Sequence, residues 1–118
     1  MKRAEELKDA MEWAYENREW NACVINAIHS AISAADAFCA YRKGVRSAGE
    51  SYSDAISLFV SIGPNDQDIR RSAEHLSALI SINSDAEYGD RLLNERDAVA
   101  AKKHATRLFD FVKSKMPS

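Results

Sequence analysis

Apolar residues recur at intervals of three and four along most of the chain, the period of a single helical face. Ala4, Leu7, Met11 and Ala14 form the first such stripe, with Lys and Glu opposite, and predict an amphipathic helix over residues 2–17. A second helix is predicted from Arg18 or Glu19 to Lys43, where Gly44 supplies the stop. It carries two adjacent seams: Trp20, Val24, Ala27, Ala31, Ala34 and Phe38 on one, Ile28, Ile32, Ala35 and Cys39 beside them. A helix apolar over so much of its circumference belongs at the centre of a bundle. Val45 to Ser51 reads as a loop, and Ser53-Asp54 as the cap of a short helix over 53–62 with Ala55, Ile56, Phe59 and Val60 on its apolar side. Gly63-Pro64 ends it. Asn65 or Asp66 caps a fourth helix, seamed by Ile69, Ala73, Leu76, Leu79 and Ile80, which runs to about Tyr88 and is broken by Gly89. Asn94 and Asp97 have the spacing of a capping pair. The fifth helix after them places Ala98, Ala101, Ala105, Leu108, Val112 and Met116 on one stripe, with Lys113 and Lys115 at its negative end.

The pattern therefore predicts an all-α protein, a four to five helix antiparallel, up-and-down bundle, in a single domain over 1–118. Composition agrees: of 118 residues 46% are hydrophobic and 29% charged, an ordinary globular balance, and four Gly and two Pro are few for a β-sandwich. The apolar stretches are short and the first residues lack the apolar core of a secretory signal, so a membrane span is not expected and a cytoplasmic location is. Sixteen basic against eighteen acidic residues, net −2, argues against binding nucleic acid by bulk charge and leaves room for a local basic patch. Cys23 and Cys39 lie on one predicted helix, about 24 Å apart by helical rise, beyond disulfide reach. They read as two buried thiols.

Absences narrow the chemistry. The sequence has no glycine-rich phosphate loop, no Gly-x-Ser-x-Gly elbow and no Cys/His spacing of a zinc site. The Glu-x-x-His signature of di-iron bundles is also missing. His29, His75 and His104 fall on three different helices, and no metal or cofactor is expected. Two constellations remain. Asn26, His29, Ser30, Ser33 and Asp36 form a polar stripe inside the most apolar helix. They either satisfy neighbouring helices or a subunit contact, or they line a ligand groove, because an unpaired buried polar group costs about 1–3 kcal/mol. His29 and Asp36 stand about 10 Å apart along the axis and cannot touch. At the end of the fourth helix, Asn83 occupies a seam position and Tyr88 follows. These fit either a fraying last turn with Gly89 as cap or the wall of a cavity. Asn26, His29, Ser33, Asp36, Asn83 and Tyr88 are the candidate ligand-binding residues, expected to face one common cavity.

Several segments together resemble HEPN domains. Asn21-Ala22 and the run Ala31-Ile32-Ser33-Ala34-Ala35-Asp36-Ala37 resemble that family's second helix. Ser47-Ala48-Gly49-Glu50-Ser51-Tyr52-Ser53-Asp54-Ala55 resembles the loop and short helix that follow in a bacterial and archaeal branch. Ser84-Asp85-Ala86-Glu87-Tyr88-Gly89 resembles the end of the fourth helix, and Leu108-Phe109-Asp110-Phe111-Val112 the closing pattern. The resemblance implies an all-α bundle that dimerises. Many members are metal-independent RNases, often toxins paired with a small nucleotidyltransferase antitoxin. Their signature is Arg, a polar residue and, a few residues on, His. Here Asn83 stands at the Arg position, Ser84 at the polar one and Tyr88 at the His one. Neither Asn nor Tyr replaces a fixed cation, and Tyr, with a pKa near 10, shuttles protons poorly at neutral pH. Arg91 lies just beyond the motif.

The expectation is a non-catalytic module that binds a nucleotide, RNA or a partner protein, as a homodimer, with a nucleotidyltransferase-type partner in a toxin–antitoxin setting. Two alternatives stand beside it. One is a metal-independent RNase with a rearranged site, using His29 or His75 with Arg71 or Arg91. The other is a pure protein-interaction subunit.

Overall fold

The computed structural model describes residues 1–44, 51–88 and 92–117, with the side chains of 85–88 outside the description. Residues 45–50 of the predicted loop, the break at Gly89, the side chain of Tyr88 and Arg91 all lie outside the described residues. Five helices account for the rest: α1 (Lys2–Glu16), α2 (Trp20–Lys43), α3 (Tyr52–Ser61), α4 (Gln67–Tyr88) and α5 (Glu95–Lys115). Among the described residues there is no strand.

Local chemistry sets the boundaries. α1 ends in a Schellman turn: Arg18 N–H donates to Tyr15 C=O and Glu19 N–H to Ala14 C=O. Arg18 itself takes the left-handed conformation, φ 59°, a position that glycine would occupy without strain. α2 stops as predicted, with Gly44 left-handed at φ 65° and its N–H on Ala40 C=O. The third helix is capped two residues earlier than the pattern suggested. Ser51, not Ser53, holds the N-cap, its hydroxyl accepting from Asp54 N–H at 3.1 Å. Gly63 then packs so closely that a Cβ there would meet Ile69 Cδ1 at 2.9 Å. Asp66 caps α4, one carboxylate oxygen accepting from the backbone of Asp68 and Ile69. Asn94 and Asp97 form the reciprocal capping box at α5.

α2 is the central helix and touches each of the other four. At about 36 Å by helical rise it nearly matches the molecule's 38 Å long dimension. By length and composition it is long and apolar enough to cross a membrane, a property that a buried core helix shares. Its apolar side is instead the floor of the core: Cys23, Val24, Ala27, Ile28, Ala31, Ala34, Ala35, Phe38 and Cys39 are buried. α1 runs antiparallel to it, with Ser30 Oγ donating to Ala4 C=O at 3.0 Å at one end and Tyr15 stacked at a tilt on Trp20 at the other. Phe38 anchors the opposite end, 5.6 Å from Phe59 of α3 and 5.7 Å from Phe111 of α5 between ring centroids. Met11, Leu76, Leu79, Leu108 and Val112 complete the core. The predicted seams of α4 and α5 face inward as drawn, with Ile80 and Met116 only half-buried.

Candidate functional site

The outer side of α2 is not covered by another helix along its length. Ala22, Asn26, Ser33, Asp36, Ala37 and Ala40 there are half-buried, while Ile25 and His29 are exposed. Toward the N-terminal part of α2 this side opens into a cleft of about 350 Å³, lined by Asn21, Ile25, Ile28, His29, Tyr52, Asn83 and Leu93. Three elements build it. α2 supplies Asn21, Ile25, Ile28 and His29 from adjacent turns. The first residue of α3 supplies Tyr52, because the Ser51 cap starts the helix there. The last turns of α4 supply Asn83, at a point where the apolar seam of that helix gives way to an amide. Ile25, Ile28 and Leu93 form an apolar floor. Asn21, His29, Tyr52 and Asn83 bring amide, imidazole and phenol groups, which both donate and accept hydrogen bonds. Among the described residues, no Lys, Arg, Asp or Glu lines it. The described lining, hydrogen-bonding groups over an apolar floor, suits a planar, polar group.

A second, smaller cleft of about 220 Å³ lies further along α2, against the start of α1. Met1, Arg3, Ala4, Ser33, Asp36, Ala37 and Ala40 line it. The six residues singled out in the sequence are thus distributed rather than gathered. His29 and Asn83 share the first cleft, and Ser33 and Asp36 share the second. Asn26 lines neither; its amide donates to Ala22 C=O one turn back, at 2.9 Å. The side chain of Tyr88 lies outside the described residues. Asn21 and Tyr52 were missed as site residues. Tyr52 stood within a segment quoted for its resemblance, but nothing in its spacing tied it to His29, because the tie is tertiary. Ser30 belongs to the interior, where its hydroxyl is satisfied by α1.

The other two histidines meet elsewhere. His75 of α4 and His104 of α5 are half-buried in the seam between those antiparallel helices, with their Nδ1 atoms 2.8 Å apart. One ring donates and the other accepts. Burial lowers the pKa of His75 below its usual value, with His104, Arg107 and Lys103 acting in the same sense and Glu74 opposing. Burial likewise lowers that of His104, helped by Lys103 and Arg107. The pair is too close to hold a phosphodiester between acid and base as it stands. Cys23 and Cys39 are free and buried, and burial pushes Cys39 up to about 11 and Cys23 upward, so neither is an available nucleophile at neutral pH. Among the described residues, no three His, Cys, Asp or Glu side chains converge as metal ligands. Comparison of the chain with protein-family models, curated proteins and solved structures finds no match.

Proposed function

We propose that this chain is a non-catalytic, HEPN-like helical binding module whose α2–α3–α4 cleft takes a nucleobase, presented by a nucleotide or by single-stranded RNA. The observation that carries the reading is the convergence of Asn21, His29, Tyr52 and Asn83 over the apolar floor of Ile25, Ile28 and Leu93. Amides read the hydrogen-bonding edge of a base, and an aromatic side chain offers a stacking surface worth about 1–3 kcal/mol per base. The volume falls within the usual range for small-ligand sites. The proposed assembly is a homodimer packed along the outer stripe of α2, where Ala22, Ala37 and Ala40 allow close approach and Ile25 is 47% exposed. The order of segments that resembles HEPN domains supports both this and a nucleotidyltransferase-type partner.

Calorimetric titration of the purified chain with the four ribonucleosides and with a short single-stranded RNA tests the reading. Saturable binding that weakens by about tenfold or more in Asn83→Ala and in His29→Ala is the expected outcome, since each removes a hydrogen-bonding group worth on the order of 1–3 kcal/mol when its partner is left unsatisfied. Absence of binding to every probe, or affinity indifferent to both substitutions, overturns it. Incubation with single-stranded RNA in EDTA should leave the RNA intact. Cleavage that disappears in Asn83→Ala/Tyr88→Phe would replace this reading with the RNase one. Light scattering should give twice the chain mass of 13.2 kDa.

A further inference from the structure

The chain is slightly acidic overall, with 16 Lys and Arg against 18 Asp and Glu, yet its charge is unevenly spread. A shallow groove of about 350 Å³ runs along α5 beside the last turn of α1, lined by Tyr15, Val99, Lys102, Lys103, Thr106 and Arg107. Among the described residues, no carboxylate lines this groove. Nor, among them, does any of its three cations take part in an ion pair. Glu12, about one turn before Tyr15 on α1, is held by Lys8 at 3.0 Å. Lys103 and Arg107 stand one turn apart on the exposed face of α5, and Arg96 stands about two turns before Lys103 on the same face. By helical rise that strip is about 16 Å long. Glu74 of α4 and Asp110 of α5 are exposed nearby in the chain and oppose the cations from outside the groove.

Aromatic rings interleave the cations. Lys102 Nζ lies 4.5 Å from the centroid of Tyr15, and Tyr15 lies 5.7 Å from Trp20 between centroids. The Arg18 guanidinium lies 5.7 Å from the Trp20 ring. The attraction of each cation to its ring holds these long side chains at the surface, so less freedom is lost when they meet an anion. Cations and rings thus alternate from α5 round the α1–α2 turn to Trp20, the neighbour of Asn21 in the α2 cleft. Glu16 and Glu19 flank Arg18 in the chain, so the cationic excess is greatest in the α5 groove and not at the turn. Lys, Arg, Thr and Tyr are the side chains that contact sugar–phosphate oxygens. A positive groove with aromatic side chains is the means by which proteins hold single strands without reading their sequence. An acidic polypeptide would meet the same cations; the rings and the Thr106 hydroxyl favour the nucleic acid. We propose that the α5 groove binds the phosphodiester backbone of a single-stranded nucleic acid, with Lys102, Lys103 and Arg107 on its phosphates. The groove shares no lining residue with the α2 cleft. It makes the ligand of the proposed function a strand and not a free nucleotide, and rests on that reading in this respect alone.

The test is fluorescence anisotropy of a short labelled oligouridylate titrated with the whole chain over a range of salt. Three neutralised phosphates give a slope of about −2 in log affinity against log salt, a loss of roughly 20-fold between 50 and 200 mM. Lys102→Gln/Lys103→Gln/Arg107→Gln should remove about 2 from the slope and weaken binding at least about tenfold at 50 mM salt. Lys2→Gln/Lys43→Gln/Arg70→Gln removes the same charge from exposed positions elsewhere and should keep most of the affinity. Circular dichroism establishes that both variants are helical. A wild-type slope near zero overturns the proposal, and so does an equal loss in the two triple variants. Polyglutamate that displaces the oligonucleotide from the wild type at equal charge concentration overturns it in favour of an acidic protein partner, a reading that needs no variant. Nucleoside affinity in the groove variant should equal that of the wild type. If the wild type binds the strand with the expected slope but no nucleoside, the cleft reading fails and the groove stands.

Discussion

Ser30 and His29 are neighbours in the chain, and the two faces of α2 give them opposite fates. Ser30 faces inward, is fully buried, and has its hydroxyl on Ala4 C=O of α1. His29 faces outward into a cleft shared with Tyr52 and Asn83. Both interrupt an apolar helix at the same three-four spacing, and in the sequence they look alike. The inner face resolves its polar group by pairing it, as buried groups in proteins almost always are. Among the described residues, no buried side-chain nitrogen or oxygen lacks a partner. On the outer face His29 stands at the wall of a cavity. A polar residue in an apolar helix is thus a sign of function only on the face that no neighbouring helix covers.

The largest test of this contrast lies on the inner face. Phe38 is fully buried between Phe59 and Phe111. Phe38→Ala should lower the unfolding free energy by about 3–5 kcal/mol, read as a fall in the urea midpoint. A loss under about 1 kcal/mol would mean that the aromatic cluster is not a packed core. Ser30→Ala should cost less, about 1 kcal/mol, since one net hydrogen bond is lost and the carbonyl of Ala4 keeps its place in the first turn of α1. A stability unchanged by Ser30→Ala would erase the distinction between the two faces at this position.

The α4–α5 seam offers a third comparison, between half-buried imidazoles and the exposed one of His29. Burial lowers the pKa of both His75 and His104 from 6.5, with the neighbouring Lys103 and Arg107 in the same sense and Glu74 opposing it for His75. Between the lowered value and 6.5 the unfolded chain binds more protons than the folded one. Stability therefore rises with pH across that window. It is complete above the unfolded value and is lost as pH falls from 6.5 through the folded pKa. The urea midpoint should be lower at pH 5.5 than at pH 7.5 in metal-free buffer, and the difference should shrink in His75→Gln/His104→Gln. An equal drop in that double variant would assign the pH dependence to other groups.

How much of this was legible in the chain differs between fold and site. The helices were readable because periodicity, caps and stops are local. Gly44, Asp66 and the Asn94/Asp97 box sit where the pattern put them. The cap of α3 was misplaced from Ser51 to Ser53 because both serines precede the same apolar stripe, and only backbone geometry distinguishes them. The site was less readable because its parts come from three helices. Asn83 with His29 was foreseen, from a seam position filled by an amide. Ser33 and Asp36 were grouped with them by helical spacing, yet the path of α1 encloses them in a separate cleft. The contact of His75 with His104 depends on the register of α4 against α5, which neither helix encodes alone.

The smallest expected effect is the most discriminating. His29 is exposed, and among the described residues no side-chain hydrogen bond or ion pair that stabilises the core involves it. On the physical argument above it serves the cleft and not the fold. His29→Ala should therefore change the unfolding free energy by no more than about 0.5 kcal/mol, the usual range for a surface substitution away from caps, cores and networks. The same substitution should weaken binding of the nucleoside that the wild type prefers. Stability is read from urea midpoints of the two proteins and affinity from calorimetry at the same pH, so that each scale is internally referenced. If His29→Ala instead destabilises the chain by as much as Ser30→Ala, the outer face is structural too. The contrast between the two neighbours would then be one of exposure without a difference in role.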